Sequence, residues 1–333
     1  KHIEKFEKKI SKICNTKYAV GLNSGTDALT LGLHLLGVRK GDEVITVPNS
    51  FVASVGVIVH LGARPILIDV LDDQTMDPKL LEKAITKKTK AIMPVHLTGR
   101  ISEMLEINKI AKKYNIPVIE DAAQCIGSKH FGNPAGSLGS IGCFSAHPLK
   151  NLNAVGDSGY LTTNNYEIYR KIKQLKSHGM VSRDRIKSFG YVSRMDNIQA
   201  AVLNFRLKNL KKVIEKRRKN FKLYEKYLDT KNIYFPIEKK YQYNTYHTFV
   251  IQSNKRDKLK KYLNNKGIGT AIHYPIPIHL QPPAKYFGYK KGSFKIAEKQ
   301  AKTVLSLPIH QNLSKKQIKY ISDNINLFNK KFY

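Results

Sequence analysis

The sequence predicts an α/β fold: a mostly parallel central sheet followed by a smaller C-terminal α+β domain. Three observations carry this. Over the first two thirds of the chain, short apolar runs alternate with segments of helical periodicity, the pattern of a parallel sheet covered on both faces. After about Pro236 the alternation gives way to a different mixture of strand, helix and proline-rich loop. The chain has 333 residues, 41% of them hydrophobic, enough for a large core and usually divided into two domains. We therefore expect a large domain over 1–235 and a small one over 236–333.

The elements follow in chain order. In KHIEKFEKKISKI, Ile3, Phe6, Ile10 and Ile13 recur at helical spacing with charges between them, which predicts an amphipathic helix rather than a signal peptide. The chain opens at Lys1, and trimming at this end is expected. YAVGLN leads into a helix over TDALTLGLHLLG. Strands are predicted in DEVITVP (42–48), RPILIDV (64–70), KAIMPVH (90–96), IPVIED (116–121) and IGCFSA (141–146). Helices are predicted between them in SFVASVGVIVHLG, PKLLEKAI and EMLEINKIAKKYN; in the last, Met104, Ile107, Ala111 and Tyr114 share a face. A long helix, roughly 204–228, leads out of this unit. YHTFVI then reads as a strand, RDKLKKYLNN as a helix and AIHYPIPIHLQPP as a loop.

Composition narrows the function. The net charge is +33, which suits a polyanion partner. Yet lysine is spread along the whole chain, and its densest cluster, 208–219, shares a helical pattern with Leu210, Val213, Phe221, Tyr224 and Leu228. That is the wet face of a helix. No zinc-finger or RNP-type motif is present, so no nucleic-acid partner is expected; attraction of anionic, phosphorylated substrates is consistent with the charge. The longest apolar run, 53–63, contains His60 and is too short to span a bilayer, so no membrane role is expected. Cys14, Cys125 and Cys143 are odd in number and form no CxxC pair. A reducing, cytoplasmic setting with no metal site is expected.

In open α/β sheets ligands bind at the carboxyl ends of the strands, so the residues that follow each strand matter most. Ser24-Gly25-Thr26-Asp27 combines a capping box with a glycine at a helix start. Either this is an ordinary capped helix, or its free N–H groups and dipole hold an anion, with Thr26 adding a hydroxyl. Phe51, after VITVPNS, is either a core residue or a stacking platform for a flat ring. Glu120-Asp121-Ala122-Ala123-Gln124 ends a buried strand in carboxylates, which need partners. Such a carboxylate caps the next helix, holds a metal, acts as a base or pairs with a cationic ring nitrogen. After IGCF come Ser145 and Lys150, the latter set among Ser, His, Pro, Asn and Gly rather than in a charged run. A desolvated lysine there has a lowered pKa and a nucleophilic amine. An anion cradle, a flat platform, a carboxylate and an amine are together what pyridoxal phosphate requires.

The chain resembles the DegT/DnrJ/EryC1/StrS family of pyridoxal-phosphate-dependent nucleotide-sugar aminotransferases. The resemblance rests on seven motifs in register: NSGTDAL (23–29), VPNSFVAS (47–54), MPVHLTG (93–99), IEDAAQ (119–124), FSAHPLKNLNAVGDSG (144–159), RMDNIQAA (194–201) and IHYPIPIHLQP (272–282). It implies the fold type I transferase architecture of the aspartate aminotransferase kind. It also implies that Lys150 forms the Schiff base and moves the proton, and that Asp121 pairs with the pyridinium nitrogen. Gln124 would bond the ring hydroxyl oxygen, Gly25, Thr26 and Ser145 would hold the phosphate, and Phe51 would stack on the ring. His273 and His279 would line the substrate side. Glutamate and a nucleotide-linked keto-sugar are the implied substrates, in a homodimer with shared sites, making amino sugars for surface polysaccharide or related glycans. Three positions depart from the pattern: Val192 where Asn is usual, Ala146 where a larger residue is common, and Ser158 in place of a frequent Gly. A keto-sugar dehydratase of the same fold would carry His in place of Lys150. Two further alternatives are a basic binding protein without turnover and a transaminase acting on a free amino acid or other small keto compound; the sequence carries no clear Arg signature for a second carboxylate and does not place Arg100 or Arg194.

Overall fold

The computed structural model describes residues 1–333. Its main sheet has seven strands: β1 (Tyr18–Leu22), β2 (Glu43–Thr46), β3 (Arg64–Leu67), β4 (Thr89–Ile92), β5 (Ile119–Asp121), β6 (Ile141–Ser145) and β7 (Gly159–Thr163). Bridges Ile92–Val118 and Val95–Asp121 join its two hydrogen-bonded halves, so the spatial order is β1-β7-β6-β5-β4-β2-β3. β7 alone is antiparallel to its neighbours, pairing with β1 and β6; the other adjacent strands run parallel. The five strands predicted between 42 and 146 all form. β7 was not expected, because Gly-Tyr-Leu-Thr-Thr ends a glycine-rich stretch that reads locally as loop, and its pairing partners lie far away in sequence.

Both faces of the sheet are covered. On one, helix α1 (His2–Ile13) contributes Phe6 and Ile10 to a core with Ile45, Leu67, Ile92, Val118 and Phe144. On the other, helix α2 (Gly25–Leu35) and helix α3 (Ala53–His60) bury Ala28, Leu31, Val57 and Ile58 against Val20, Val44, Ala91 and Ile141. α2 starts sharply because Ser24 is extended and its Oγ accepts the Asp27 amide at 3.0 Å, the predicted cap. The expected long helix is two helices, α4 (Asn197–Arg206) and α5 (Leu210–Tyr227), joined by a single 3₁₀ turn at Leu207–Asn209.

A third core gathers Phe221 and Tyr224 of α5, and Leu228 just after it, with Phe249, Ile251, Leu305, Leu307, Ile318 and Phe328. Its two strands, Phe249–Gln252 and Val304–Leu307, are antiparallel. Packing crosses residue 236 in both directions. α5 reaches forward into this core, while Ile278, Phe287 and Phe294 fold back onto the core of the main sheet. The loop 272–282 is thereby held over the carboxyl ends of the strands.

Candidate active site

A cavity of about 560 Å³ opens where the strands of the main sheet end, and residues from both parts of the chain line it. Gly25, Thr26, Phe51, Asp121, Gln124, Ser145, Lys150 and His273 all face it. They lie up to about 250 residues apart in the sequence, and the sheet brings them together because each follows a strand or sits on the loop folded over the strand ends.

One end of the cavity is built for an anion. The first-turn amides of α2 have no helical acceptors, and its dipole favours negative charge. The backbone here is packed as closely as glycine permits. A Cβ on Gly25 would lie 2.8 Å from Ser145 Cβ, and one on Gly159 would lie 2.2 Å from the Ser24 carbonyl carbon. Ser145 Oγ accepts the His147 amide at 3.3 Å, which leaves its own proton for a ligand.

At the centre, Asp121 is buried. Its Oδ2 accepts from Ser54 Oγ at 2.7 Å and its Oδ1 from the Ala123 amide at 3.2 Å, so lone pairs remain for a cationic partner. Lys150 shares the cavity. Burial lowers its pKa, with the Asp121 carboxylate and then the Cys125 thiol acting in the opposite direction. Gln124 Oε1 accepts the Thr98 amide at 2.7 Å. That bond assigns the amide's orientation: the NH₂ group is the end left to donate to a ligand oxygen. Phe51 is 57% exposed, with its ring 6.2 Å from that of Tyr274. It is not a core residue, and its ring is free to serve as a platform. Burial, then Asp121, pushes the Tyr274 phenol up to about 12, so it remains a donor at neutral pH.

The imidazoles of His247 and His273 complete the wall. Desolvation, and next the positive charge of Lys150, lowers both, His247 far below the usual range; both are neutral at physiological pH. His273 Nδ1 lies 2.8 Å from Ser306 Oγ. His247 Nδ1, Thr248 Oγ1 and Ser158 Oγ are buried without any partner. Unsatisfied buried polar atoms around one cavity point to a ligand that completes them. A phosphate cradle, a ring platform, a carboxylate and a desolvated amine fit pyridoxal phosphate in size and chemistry.

The structure does not bring His279 to this cavity. The 3₁₀ turn Ile278–Leu280 points it inward, where it is 2% exposed and its Nε2 meets Glu298 Oε1 at 3.0 Å. Arg100 is also spoken for: it is buried, bonded to Gln242 Oε1 at 2.5 Å and to the carbonyls of Pro236 and Ile237. Sequence reasoning missed Ser54, His247, Thr248 and Tyr274. Ser54 lies one helical turn after Phe51, a usable signal. His247 and Thr248 precede the first residue of a strand whose place in the fold no local pattern reveals.

The sequence model of the DegT/DnrJ/EryC1/StrS aminotransferase family matches residues 1–326. A pleiotropic regulatory protein of Geobacillus stearothermophilus is 39% identical over 99% of this chain and 90% of its own length. The UDP-N-acetyl-3-dehydro-alpha-D-glucosamine 3-aminotransferase of Acidithiobacillus ferrooxidans is 39% identical over 95% of this chain and 85% of its own. Among solved structures, S. venezuelae DesV in complex with a ketimine intermediate superposes with a TM-score of 0.96 at 35% identity, covering 98% of this chain and 89% of that one.

Proposed function

The chain belongs to the DegT/DnrJ/EryC1/StrS aminotransferase family, and from that premise we propose that it moves an amino group from glutamate to a nucleotide-linked keto-deoxy-sugar. It is a pyridoxal-phosphate-dependent aminotransferase of fold type I. One observation carries the proposal furthest: Lys150, desolvated, shares a cavity with Asp121 at the strand ends. A dehydratase would need histidine at position 150.

When bound, pyridoxal phosphate supplies an electron sink for charge developing at the substrate carbon that bears nitrogen. The chain's own residues do the rest. Lys150 Nζ, weakened as an ammonium by burial, holds the proton that moves on and off that carbon. Asp121, oriented by Ser54, would keep a ring nitrogen cationic, and the Gln124 NH₂ would be the donor to a ring oxygen. Phe51 would cover one ring face. The cradle at Gly25, Thr26 and Ser145 binds the phosphate, and neutral His273 offers a polar contact without repelling Lys150.

Nucleotide-sugar substrates are supported by relatives named as transaminases of dTDP- and UDP-linked sugars and by the positive charge of the chain. Synthesis of amino sugars for surface polysaccharide or related glycans is part of the same proposal. A homodimer with shared sites is supported by apolar side chains beside the cavity and on the adjoining hairpin: Leu149, Val155, Phe189, Tyr191 and Val192 are all exposed. A cytoplasmic setting is supported by three cysteines that are buried and unpaired; no helix is long and apolar enough to cross a membrane.

The test is spectroscopic. Protein loaded with pyridoxal phosphate should show the visible band of lysine-bound cofactor. Glutamate should bleach it, a UDP- or dTDP-keto-sugar should restore it, and Lys150→Ala should never form it. A wild-type band indifferent to glutamate would remove glutamate as donor. A bleached band that no keto-sugar restores would remove the acceptor class.

A further inference from the structure

Residues 245–248 lead into the strand Phe249–Gln252 and are clamped from two sides. On one side the Thr245 and Thr248 amides donate to the Gly99 and Thr98 carbonyls at 3.1 and 3.4 Å. The approach is close: a Cβ on Gly99, whose φ is +96°, would lie 2.6 Å from the Tyr246 amide nitrogen and 2.9 Å from that of His247. The same turn gives its Thr98 amide to Gln124. On the other side Arg217 of α5 spans two carbonyls, its Nη1 donating to Tyr246 and His247 at 3.0 Å each. Between the clamps Tyr246 is left-handed, with φ at +47°, a costly conformation for a bulky residue. Backbone held this firmly fixes where the next side chain stands.

That side chain is His247. It is half-buried and lines the cavity. Its Nδ1 is sealed without a partner, whereas Nε2 is neither sealed nor bonded to the protein. Nε2 is therefore the ring nitrogen that a molecule in the cavity can reach. The titratable groups acting on the ring are Lys150, Arg217 and His273, and all oppose a second proton. The single proton of the neutral ring has two possible seats. On Nδ1 it would be a sealed donor without an acceptor, beside the guanidinium that holds this residue's carbonyl. The lone pair belongs there, and the proton on Nε2.

We infer that His247 is a further substrate-binding residue, donating its Nε2 proton to an acceptor oxygen of the substrate held beside Lys150. The inference rests on the reading of this cavity as an aminotransferase site. No arginine of this chain lines the cavity, so its donors to a substrate are neutral. Neutrality suits a site that takes two substrates in turn. One donor serves the carboxylate of glutamate and then an uncharged hydroxyl of a sugar, where a cation would favour the first strongly over the second.

The experiment uses two amide substitutions in the protein loaded with pyridoxal phosphate. Glutamine carries its NH₂ near the place of Nε2, asparagine near that of Nδ1. The readouts are cofactor affinity, from the visible band, and the glutamate and keto-sugar concentrations that give half the maximal rate of each half-reaction. His247→Asn should raise at least one of those concentrations about tenfold, the loss of one hydrogen bond, with cofactor affinity unchanged. His247→Gln should recover most of the loss. An effect on one substrate alone keeps the inference and identifies the acceptor as carboxylate or hydroxyl. If glutamine is no better than asparagine, if neither variant differs from wild type, or if cofactor affinity falls in step, the inference fails while the aminotransferase reading stands. A wild-type band that glutamate does not bleach and no keto-sugar restores removes that reading, and the inference with it.

Discussion

Glu120 and Asp121 leave the end of β5 one residue apart and meet opposite environments. Glu120 is sealed from solvent. Its Oε2 takes His96 Nε2 at 3.1 Å and the Gly136 amide at 2.8 Å, and its Oε1 takes the amides of Leu138 and Gly139 at 2.8 and 2.7 Å. The Ser102 amide donates to His96 Nδ1 at 3.2 Å, so the imidazole proton must sit on Nε2 and point at the carboxylate. Asp121, facing the other side of the strand, has one hydroxyl and one long amide contact, then open cavity. A saturated carboxylate ties a strand end to the 136–139 turn; an unsaturated one is available to a ligand. Residue type does not separate the two, but hydrogen-bond saturation does.

The largest expected effect breaks the saturated side. Glu120→Gln keeps the shape but replaces one acceptor with an NH₂ that must face either a backbone N–H or His96 Nε2–H. His96 cannot switch tautomer without turning Nδ1–H onto the Ser102 amide. Removing one partner from a buried charged network costs about 3–5 kcal/mol, so urea unfolding should show a loss of that size. A variant as stable as wild type would mean Glu120 is not the anchor its four donors indicate.

Asp121→Asn breaks the other side, with the effect on rate instead of stability. Losing a desolvated charge partner costs about 2–5 kcal/mol, roughly 30- to 4000-fold in the glutamate half-reaction. The unfolding midpoint should move much less than for Glu120→Gln, since fewer groups are stranded. Reversed outcomes, a stable Glu120→Gln and a collapsed Asp121→Asn, would invert the assignment of structure and site.

How far this contrast was legible in the sequence follows from what each residue depends on. Gly25, Asp121, Ser145 and Lys150 were readable because each stands just after an apolar run, and strand ends are local features. Gln124 and Phe51 were readable from the same turns. The saturation of Glu120 was not, because its donors come from residues 96 and 136–139, whose approach is set by the sheet. β7 was hidden for the same reason: two distant partners make Gly159–Thr163 a strand. His279 was misplaced because a loop histidine gives no sign of which way it turns, and the burial of Glu298 decided it.

Ser54→Ala sharpens the comparison on the cavity side alone. It removes the 2.7 Å hydrogen bond to Asp121 Oδ2 and nothing that Glu120 touches. Hydrogen bonds to charged groups contribute about 1.5–3 kcal/mol, so cofactor affinity or the half-reaction rate should fall roughly 10- to 150-fold. Ser54→Thr, which keeps the hydroxyl, should recover part of the loss. A variant that lowers the unfolding midpoint but leaves cofactor affinity intact would move Ser54 from the site to the core.

The smallest effect tests the electrostatics of Lys150 in the cofactor-free protein. Its folded pKa lies below the ordinary lysine value because burial outweighs the pull of Asp121. Between the folded and the unfolded pKa the unfolded chain therefore holds the extra proton, and stability contributed by this residue rises with pH through that window. Below the folded pKa both states are protonated and the folded state carries the full desolvation penalty; above the unfolded pKa neither does. Lys150→Met, uncharged and of similar length, should be most stabilised relative to wild type below the folded pKa. The gap should narrow as pH rises through the window towards the ordinary lysine value. Differential melting of the two proteins across that range measures it directly. A gap that stays constant would mean Lys150 keeps its proton as easily as a surface lysine, and the amine would then have no special readiness to act as a nucleophile beside Asp121.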